Sequence, residues 1–228
     1  MRLSGDLLAQ VENPWFGTTY VQRDQERVLD ALQQHVTITV AAVVLGLLLA
    51  LPLALLARRS ATVETLVVGA AGVVYTIPSL ALFGFLVPYT GLTERTAIIA
   101  LALYTLVVLV RNTVTGLAQV PPDVVEAAKG MGLGPGRRLL RVELPIALPS
   151  IMAGIRVATV STISLLTVAA YVGSGGFGQI IDAGLRGSYR EQVTTGVLGC
   201  VVLALVADLL LVGLQRLLTP WSRARSAA

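Results

Sequence analysis

The chain has 228 residues, of which 55% are hydrophobic, 13% are charged and only 5% are aromatic. This composition is far more apolar than a soluble domain of that size needs, so the sequence predicts a membrane protein. The formal net charge is +4, but only one of the 17 basic residues is a lysine and most border apolar runs, which indicates orientation of membrane spans and not nucleic-acid binding. A single cysteine excludes an intrachain disulfide and a thiolate cluster for a metal.

Residues 1–35 precede the first long apolar run and are predicted to form an extracytoplasmic N-terminal segment. They lack the apolar core and the cleavage site of a signal peptide, so the first spanning helix is expected to direct its own insertion. Apolar residues at Val21, Val28, Leu29 and Leu32 favour a short helix on the outer surface, and a solvated leader is the alternative.

Five apolar regions follow, and five transmembrane helices are the simplest interpretation because a span needs about 20 apolar residues. In chain order the regions are residues 36–57, the stretch between Glu64 and Glu94, the run 96–110, residues 144–181 with Arg156 inside, and residues 192–215 with Asp208 inside. The third run is shorter than the hydrocarbon thickness requires, so Arg95 and Arg111 are expected to reach the two interfaces. The predicted fold is therefore an all-α transmembrane domain over residues 36–218.

The basic residues predict the orientation of the spans. An odd number of spans places the two termini on opposite sides of the membrane, and the side richer in arginine and lysine is cytoplasmic. Ten basic residues fall on the side of the loop between the third and fourth spans, six fall on the other side, and Arg156 is unassigned. That loop is therefore predicted to be cytoplasmic, which leaves the N-terminus outside and residues 219–228 as a cytoplasmic tail.

The loop at residues 112–146 is an island of charge between apolar runs. A proline pair ends the preceding segment, and Asp123 is predicted to cap a helix that continues through Met131. The run "GLGPG" breaks that helix, and "RRLLRVEL" predicts a second short helix before Pro145. The loop is therefore expected to project as a helix, a sharp turn and a helix.

The spacing of residues within this loop resembles the EAA loop of the membrane-spanning subunits of binding-protein-dependent ABC importers. The signature consists of Glu126, Ala127, Ala128, Gly132, Val142, Leu144 and Pro145, and its one departure is valine at a position where isoleucine is common. The resemblance implies a type I importer permease fold, in which this loop is the coupling helix that docks on an ATPase subunit. The chain has no phosphate-binding GxxxxGK[ST] motif, so ATP hydrolysis is assigned to a separate polypeptide and no bound cofactor is expected.

Each position of the signature has a physical reason. The alanines allow the helix to approach a partner closely, and Gly132 is expected to supply a turn that a side chain would obstruct. Glu126 near the helix start interacts favourably with the helix dipole and is expected to accept a hydrogen bond from the partner.

The resemblance extends over roughly residues 35–215 to the permeases of the quaternary-amine branch of these importers. It rests on stretches such as "YTIPSLALFGFLVPYTGL" and "VELPIALPSIMAGIRVATV". It implies import of an osmoprotectant, such as glycine betaine, proline betaine, carnitine or choline, across a bacterial cytoplasmic membrane. Some members carry a fused substrate-binding domain after the spans; this sequence ends soon after them, so the expected partners are a separate extracytoplasmic binding protein and a second permease subunit, identical or homologous.

A few residues in the spans are candidates for lining the solute pathway. Aromatic rings usually hold quaternary ammonium groups, and Tyr75 and Tyr104 are the candidates here, with ordinary packing as the alternative. Pro78 removes a backbone donor within the second span, which predicts a kink beside Thr76 and Ser79. The kinked helix either lines the pathway or accommodates packing.

Arg156 and Asp208 are the two charges inside apolar sequence. An unpaired charge at mid-bilayer costs about 2.5–3.5 kcal/mol on insertion scales, so each is expected to find a partner or reach an interface. The two residues are predicted to form a structural ion pair, and a proton relay is the alternative. His35 is interpreted as an interfacial residue, and "GSGGFG" at residues 173–178 as a plain loop, an outer gate or a docking turn.

Three other classes of protein remain as alternatives. An ion-driven secondary transporter typically has more spans and more intramembrane acidic residues than this chain. A membrane enzyme would need a cluster of catalytic side chains, and one histidine with one cysteine argues against it. A permease of the same architecture that imports an amino acid or another small solute is the closest rival.

Overall fold

The computed structural model describes residues 13–222, and that part of the chain is helical and contains no β-strand. Its α-helices are α1 (Thr19–Arg23), α2 (Gln25–Ala57), α3 (Ala61–Thr76), α4 (Ser79–Thr90), α5 (Glu94–Ala118), α6 (Pro122–Gly130), α7 (Pro135–Arg138), α8 (Leu144–Leu166), α9 (Phe177–Arg186) and α10 (Arg190–Leu218). A π-helical stretch, Leu139–Glu143, joins α7 to α8, and a 3₁₀-helix, Thr167–Val172, follows α8. The predictions for residues 1–12 and 223–228 lie outside the described residues.

The first spanning helix is longer than its uncharged run. α2 has 33 residues and begins at Gln25, so the helix does not end at the polar boundary near residue 36. Both expectations for this stretch, a separate surface helix and a solvated leader, are wrong for residues 25–35, and only α1 is separate. The reason is local: the stretch is rich in Gln, Glu, Arg, Leu and Ala, which favour a helix, and it contains neither Gly nor Pro.

Pro78 divides the second apolar region into two helices instead of kinking one. The axes of α3 and α4 make an angle of 93° at the break. Proline has no N–H group and restricts the residue before it, and Ile77 accordingly has an extended backbone with φ −67° and ψ 128°. Thr76 Oγ1 donates a hydrogen bond of 2.7 Å to the carbonyl oxygen of Val73 beside the break. The bend is therefore far larger than the predicted kink.

Four helical stretches in the described part of the chain are long and apolar enough to cross a membrane: α2, α5, the continuous stretch Pro135–Val172, and α10. A fifth crossing results when α3 and α4 count together as one broken span. The all-α membrane fold is confirmed, and the five-span interpretation depends on that broken pair. The third run is not short as a helix, because α5 continues past Arg111 for a total of 25 residues, about 37 Å.

The helices α2, α5 and α8 pack closely together and are called the central unit below. An ideal Cβ on Gly154 of α8 would lie 2.6 Å from Asn112 Cβ of α5, and one on Gly46 of α2 would lie 1.9 Å from Thr105 Oγ1 of α5. Ser150 Oγ also donates a hydrogen bond of 2.9 Å to the carbonyl oxygen of Asn112. Small residues therefore permit the close approach of these helices. An ideal Cβ on Gly69, Gly72 or Gly84 would meet no described atom within 4 Å.

The end of the bundle opposite α6 and α7 carries a glycine-rich turn, residues 173–176, which packs on α2. The N–H of Gly176 donates a hydrogen bond of 2.9 Å to Gln34 Oε1, and the N–H of Phe177 donates one of 3.3 Å to His35 Nδ1. His35 is fully buried, and its Nε2 lies 3.0 Å from the carbonyl oxygen of Ile163. The side chains of α2 therefore hold this turn from within the bundle.

Candidate coupling site and pathway residues

The loop between α5 and α8 forms a projection, defined here as residues 121–138, that contains α6, a turn and α7. α6 begins with Pro122 at its first position, where a missing N–H group costs nothing, and Pro121 precedes it with an extended backbone. The predicted cap at Asp123 is wrong, because Asp123 lies inside the first turn and no side chain caps this helix. Its carboxylate is still favourable there, since it faces the positive end of the helix dipole.

Gly132 ends α6 in a Schellman motif. The N–H of Leu133 bonds to the carbonyl of Ala128 at 3.1 Å, and the N–H of Gly132 bonds to that of Lys129 at 2.9 Å. Gly132 has φ +77°, a left-handed conformation that favours glycine. An ideal Cβ there would meet no described atom within 4 Å, so the expected steric obstruction is absent within this chain. The backbone conformation, and not space, requires glycine at this position.

The exposed face of α6 carries part of the EAA-like signature. Glu126 and Ala127 are exposed, whereas Ala128 is only 1% exposed and packs inward. Met131, beyond the helix end, is 73% exposed. Of the two alanines, Ala127 is therefore on the surface and Ala128 packs within the chain.

The second half of the signature does not form the separate short helix that the sequence predicts. α7 continues through the π-helical stretch directly into α8, with Leu144 N–H bonded to the carbonyl of Leu139 in place of the usual partner one residue later. This wider turn carries the chain past Pro145, which has no N–H group to offer, so the helix does not end there. Val142, Leu144 and Pro145 are half-buried at the start of α8.

Glu143 is a site residue that the sequence analysis missed. Its side chain is 1% exposed and forms ion pairs with two arginines: Arg58 Nη1 lies 2.5 Å from Oε2, and Arg138 Nε donates a hydrogen bond of 2.7 Å to Oε1. Arg58 follows the last residue of α2, and Arg138 is the last residue of α7. The only signal in the sequence was a single acid among the arginines of "RRLLRVEL", which does not distinguish an exposed pair from a buried one.

Tyr75 and Tyr104, the two predicted pathway residues, are in contact. Their rings are 5.8 Å apart in an edge-to-face arrangement with an interplanar angle of 77°. Tyr104 is buried and its hydroxyl donates a hydrogen bond to the carbonyl oxygen of Ile77, at the break before Pro78, whereas Tyr75 is 50% exposed. Tyr75 lines a groove of about 700 Å³ between α3 and α5, together with Arg111 and other residues of the two helices.

Arg156 of α8 and Asp208 of α10 form a two-point ion pair. Arg156 Nε lies 2.8 Å from Oδ1 of Asp208, and Nη2 lies 2.9 Å from Oδ2. Each side chain is about one-third exposed, at 32% and 33%. A fork of this geometry is the strong form of an arginine–carboxylate contact. Among the described residues, no group of three or more His, Cys, Asp or Glu side chains is placed to hold a metal ion.

With this geometry in place, comparison with known proteins decides the family. The family model for the inner membrane component of binding-protein-dependent transport systems matches residues 42–224. The chain belongs to this family. The match covers the second half of α2, all of α5 and α8, the projection and α10, so the exposed α6 is an element of a family permease and not a feature of an unrelated membrane protein. Its members are transport components and not enzymes.

Several relatives are similar over most of their length. The choline transport system permease protein OpuBB of Bacillus subtilis (strain 168) is 36% identical over 88% of this chain and 93% of its own. The carnitine transport permease protein OpuCB of Listeria monocytogenes is 37% identical over 89% and 93%. The osmoprotectant import permease protein OsmW of Salmonella typhimurium (strain LT2) is 41% identical over 82% and 89%.

Solved structures agree on the fold. A chain of the inward-facing MetNI methionine ABC transporter superposes with a TM-score of 0.75, covering 86% of this chain and 97% of that one at 20% identity. A chain of an amino acid ABC transporter crystallised with histidines superposes with a TM-score of 0.71, covering 88% and 98% at 19% identity. At such low identity the likeness establishes the type I importer permease fold and nothing about the solute.

Proposed function

We propose that this chain is the permease subunit of an ATP-driven importer for a quaternary-amine osmoprotectant, such as glycine betaine, proline betaine, carnitine or choline. The observation that carries the solute class is the identity of 36–41% to permeases named for choline, carnitine and osmoprotectants, over at least 82% of this chain. In this proposal the chain performs no covalent chemistry and binds no cofactor. A separate extracytoplasmic binding protein delivers the solute, and a separate ATPase subunit hydrolyses ATP.

In this proposal the projection is the element that the ATPase subunit moves. Its support is the exposure of Glu126 and Ala127 on α6 and of Met131 just beyond it, in a segment that lies between α5 and α8. The ATPase subunits close on binding ATP, and a rigid contact at the projection carries that movement into the spans as alternating access. In this proposal this end of the bundle lies in the cytoplasm, with the N-terminus outside and residues 219–228 inside; the arginine bias near the helix ends supports this orientation.

The second permease subunit, identical or homologous, packs on the face formed by α3 and α4. This face is apolar and unpartnered in the described chain: Leu66 and Phe85 are each 66% exposed. An ideal Cβ on Gly84 of α4 would meet no described atom within 4 Å, so a helix of another subunit can approach closely there. The bulk of the remaining apolar surface, above all that of α10, faces lipid.

The solute passes along the groove between α3 and α5. The ring of Tyr75 forms part of the wall of this groove and packs edge-to-face on the ring of Tyr104. The hydroxyl of Tyr104 in turn donates a hydrogen bond to the carbonyl oxygen of Ile77, at the break before Pro78. A ring face attracts a cation that has no hydrogen to donate, with an energy of about 0.5–2 kcal/mol. That is weak enough for a path that must release the solute, so high selectivity belongs to the binding protein.

Replacing Tyr75 by leucine is expected to lower the rate of uptake by about 2- to 30-fold, because the ring contributes a cation–π contact of about 0.5–2 kcal/mol. Phenylalanine keeps the ring and is expected to retain most of the rate. The matched control is Tyr171→Leu, which removes a tyrosine that is 59% exposed and outside the groove. The measurement is the initial rate of radiolabelled glycine betaine uptake by each variant. Equal losses of rate for Tyr75→Phe and Tyr75→Leu would contradict a role for the ring.

Transport by the reconstituted assembly tests the proposed function. The chain is co-expressed with the ATPase subunit and the binding protein encoded beside it, and uptake of glycine betaine, carnitine, choline and a mixture of amino acids into vesicles is measured with and without ATP. ATP-dependent uptake of a quaternary amine that persists when ionophores collapse the ion gradients is the expected result. Amino acid uptake alone would support the rival importer, and uptake driven by an ion gradient without ATP would support a secondary transporter.

A further inference from the structure

Glu143 is the one acidic residue of the α5–α8 connection that is removed from solvent. It is 1% exposed, while Asp123 and Glu126 of the same connection are exposed. Its two carboxylate oxygens are divided between arginines of two different elements, at 2.5 Å from Arg58 and 2.7 Å from Arg138. The cluster of these three residues is called the clamp below.

The clamp is a poor choice for stability alone. Burying a carboxylate costs several kcal/mol of lost hydration, and replacing a buried ion cluster with apolar side chains of similar volume is often neutral or favourable. The neighbouring positions Leu139 and Leu144 are apolar and would suit such packing. What the ions provide and leucines do not is a charge-specific contact, in which each of the two guanidinium groups lies against its own oxygen of Glu143.

The position of the clamp gives this contact a consequence. Along the chain, the projection lies between α5 and α8, whereas α2 is not adjacent to it. Arg58 sits directly at the end of α2, with its N–H bonded to the carbonyl of Ala54 at 3.3 Å. Through Glu143 and Arg138, the end of α2 therefore contacts the residues that join the projection to α8.

We propose that Glu143 is the positioning residue that makes α2 move together with the projection, so that ATP hydrolysis is converted into movement of the whole central unit. The inference rests on the proposed function, because it assumes that the projection receives the stroke of an ATPase. Without the clamp, the C-terminal end of α2 no longer follows the projection, and cycles of ATP hydrolysis pass without import.

The test is the number of ATP molecules hydrolysed for each glycine betaine, carnitine or choline molecule imported by purified transporter in vesicles. Glu143→Gln keeps the shape of the side chain and removes its charge, Arg58→Gln removes one partner, and the double variant removes both. We expect each single variant to assemble with the ATPase subunit and to raise this ratio by about 2- to 30-fold, the range for residues on a coupling network. The double variant is expected to be no worse than Glu143→Gln, because both substitutions break the same contact.

Two further variants separate coupling from structure. Arg59→Gln removes the adjacent arginine, which is exposed and outside the clamp, and is expected to leave the ratio unchanged. Arg58→Lys keeps the positive charge but replaces the planar guanidinium group, and it is expected to restore part of the coupling that Arg58→Gln loses. A merely structural role would lower the yield of assembled transporter and leave the ratio per assembled complex unaltered.

The inference is overturned if Glu143→Gln and Arg58→Gln both assemble and hydrolyse the same number of ATP molecules per imported solute molecule as the wild-type transporter. Should Glu143→Gln fail to assemble, Arg58→Gln decides alone, since Arg58 is 36% exposed and its loss leaves Glu143 paired with Arg138. Failure of the proposed function is distinguishable, because it appears in the wild-type protein as uptake that does not depend on ATP.

Discussion

Gly132→Asp is expected to abolish uptake while the permease still inserts and accumulates. The left-handed conformation at Gly132, φ +77°, costs an ordinary residue about 1–2 kcal/mol, but aspartate and asparagine tolerate it best. No described atom opposes a side chain there, so the substitution does little harm within this chain. On the docking surface, however, it places a new charge where a partner must approach closely, and the ATPase subunit is expected to be lost on purification.

A graded series at this position separates the two effects. Gly132→Asn fits the left-handed conformation without adding charge, Gly132→Ala adds only a methyl group, and Gly132→Val suits the conformation least. If only the backbone conformation matters, the loss of uptake is smallest for Asn, larger for Ala and largest for Val. If docking is as close as the proposal requires, even Asn and Ala lower the amount of ATPase subunit that copurifies. Normal uptake by Gly132→Asp would refute the coupling assignment.

Glu126→Lys is the companion variant at the exposed face of the projection. Glu126 is exposed, so reversal of its charge is expected to leave permease accumulation unchanged and to reduce uptake and copurification of the ATPase subunit. Glu64→Lys is the control, because Glu64 is also an exposed helical acid but lies on α3, outside the projection. Equal behaviour of the two variants would remove Glu126 from the coupling contact.

Asp208→Leu is expected to have the second large effect, on the amount of folded permease. It leaves Arg156 without its two-point partner in an apolar span, where an unpaired charge costs about 2.5–3.5 kcal/mol. Removing both charges in Arg156→Leu/Asp208→Leu is expected to restore accumulation to near the wild-type amount. Quantitative blotting of membrane fractions gives the accumulation, and uptake is then divided by the amount of assembled transporter.

The same pair of variants distinguishes structural pairing from a proton relay. For a structural pair, the double variant transports at the wild-type rate per assembled complex, whereas a relay would leave it present but inactive. The matched control is Asp182→Leu, which breaks the Arg186–Asp182 pair on α9; its arginine is 71% exposed, and exposed pairs of this kind contribute only about 0.3–0.5 kcal/mol.

Much of the fold follows from the sequence because lipid imposes a simple rule: apolar runs become spans, and charge collects at their ends. The rule does not predict where a helix ends, because polar and apolar residues can both be good helix formers. Residues 25–35 are polar and still continue α2, and Arg111 lies inside α5, so helix ends and apolar boundaries differ. Pro78 is a clear local signal, yet its effect ranges from a kink to the observed bend of 93°, and only tertiary packing decides between them.

A site residue could be predicted from the sequence where only one residue type suits its position. Gly132 was identified from its spacing, but the reason is its backbone conformation and not the obstruction that was expected. Ala127 and Ala128 are adjacent residues of the same type, and only the orientation of α6 shows that Ala127 is exposed and Ala128 is buried. Glu143 carries no local sign of burial, because its partner Arg58 lies 85 positions earlier and meets it only in the folded chain.

Site-specific photo-cross-linking from Met131 in intact cells tests the central claim most directly. Met131 is 73% exposed on the projection, and Tyr89, 77% exposed at the end of α4, serves as the control position. The account predicts a covalent adduct between position 131 and the ATPase subunit, and none with that subunit from position 89. An adduct of position 131 with the extracytoplasmic binding protein, or no adduct with any nucleotide-binding subunit, would contradict it.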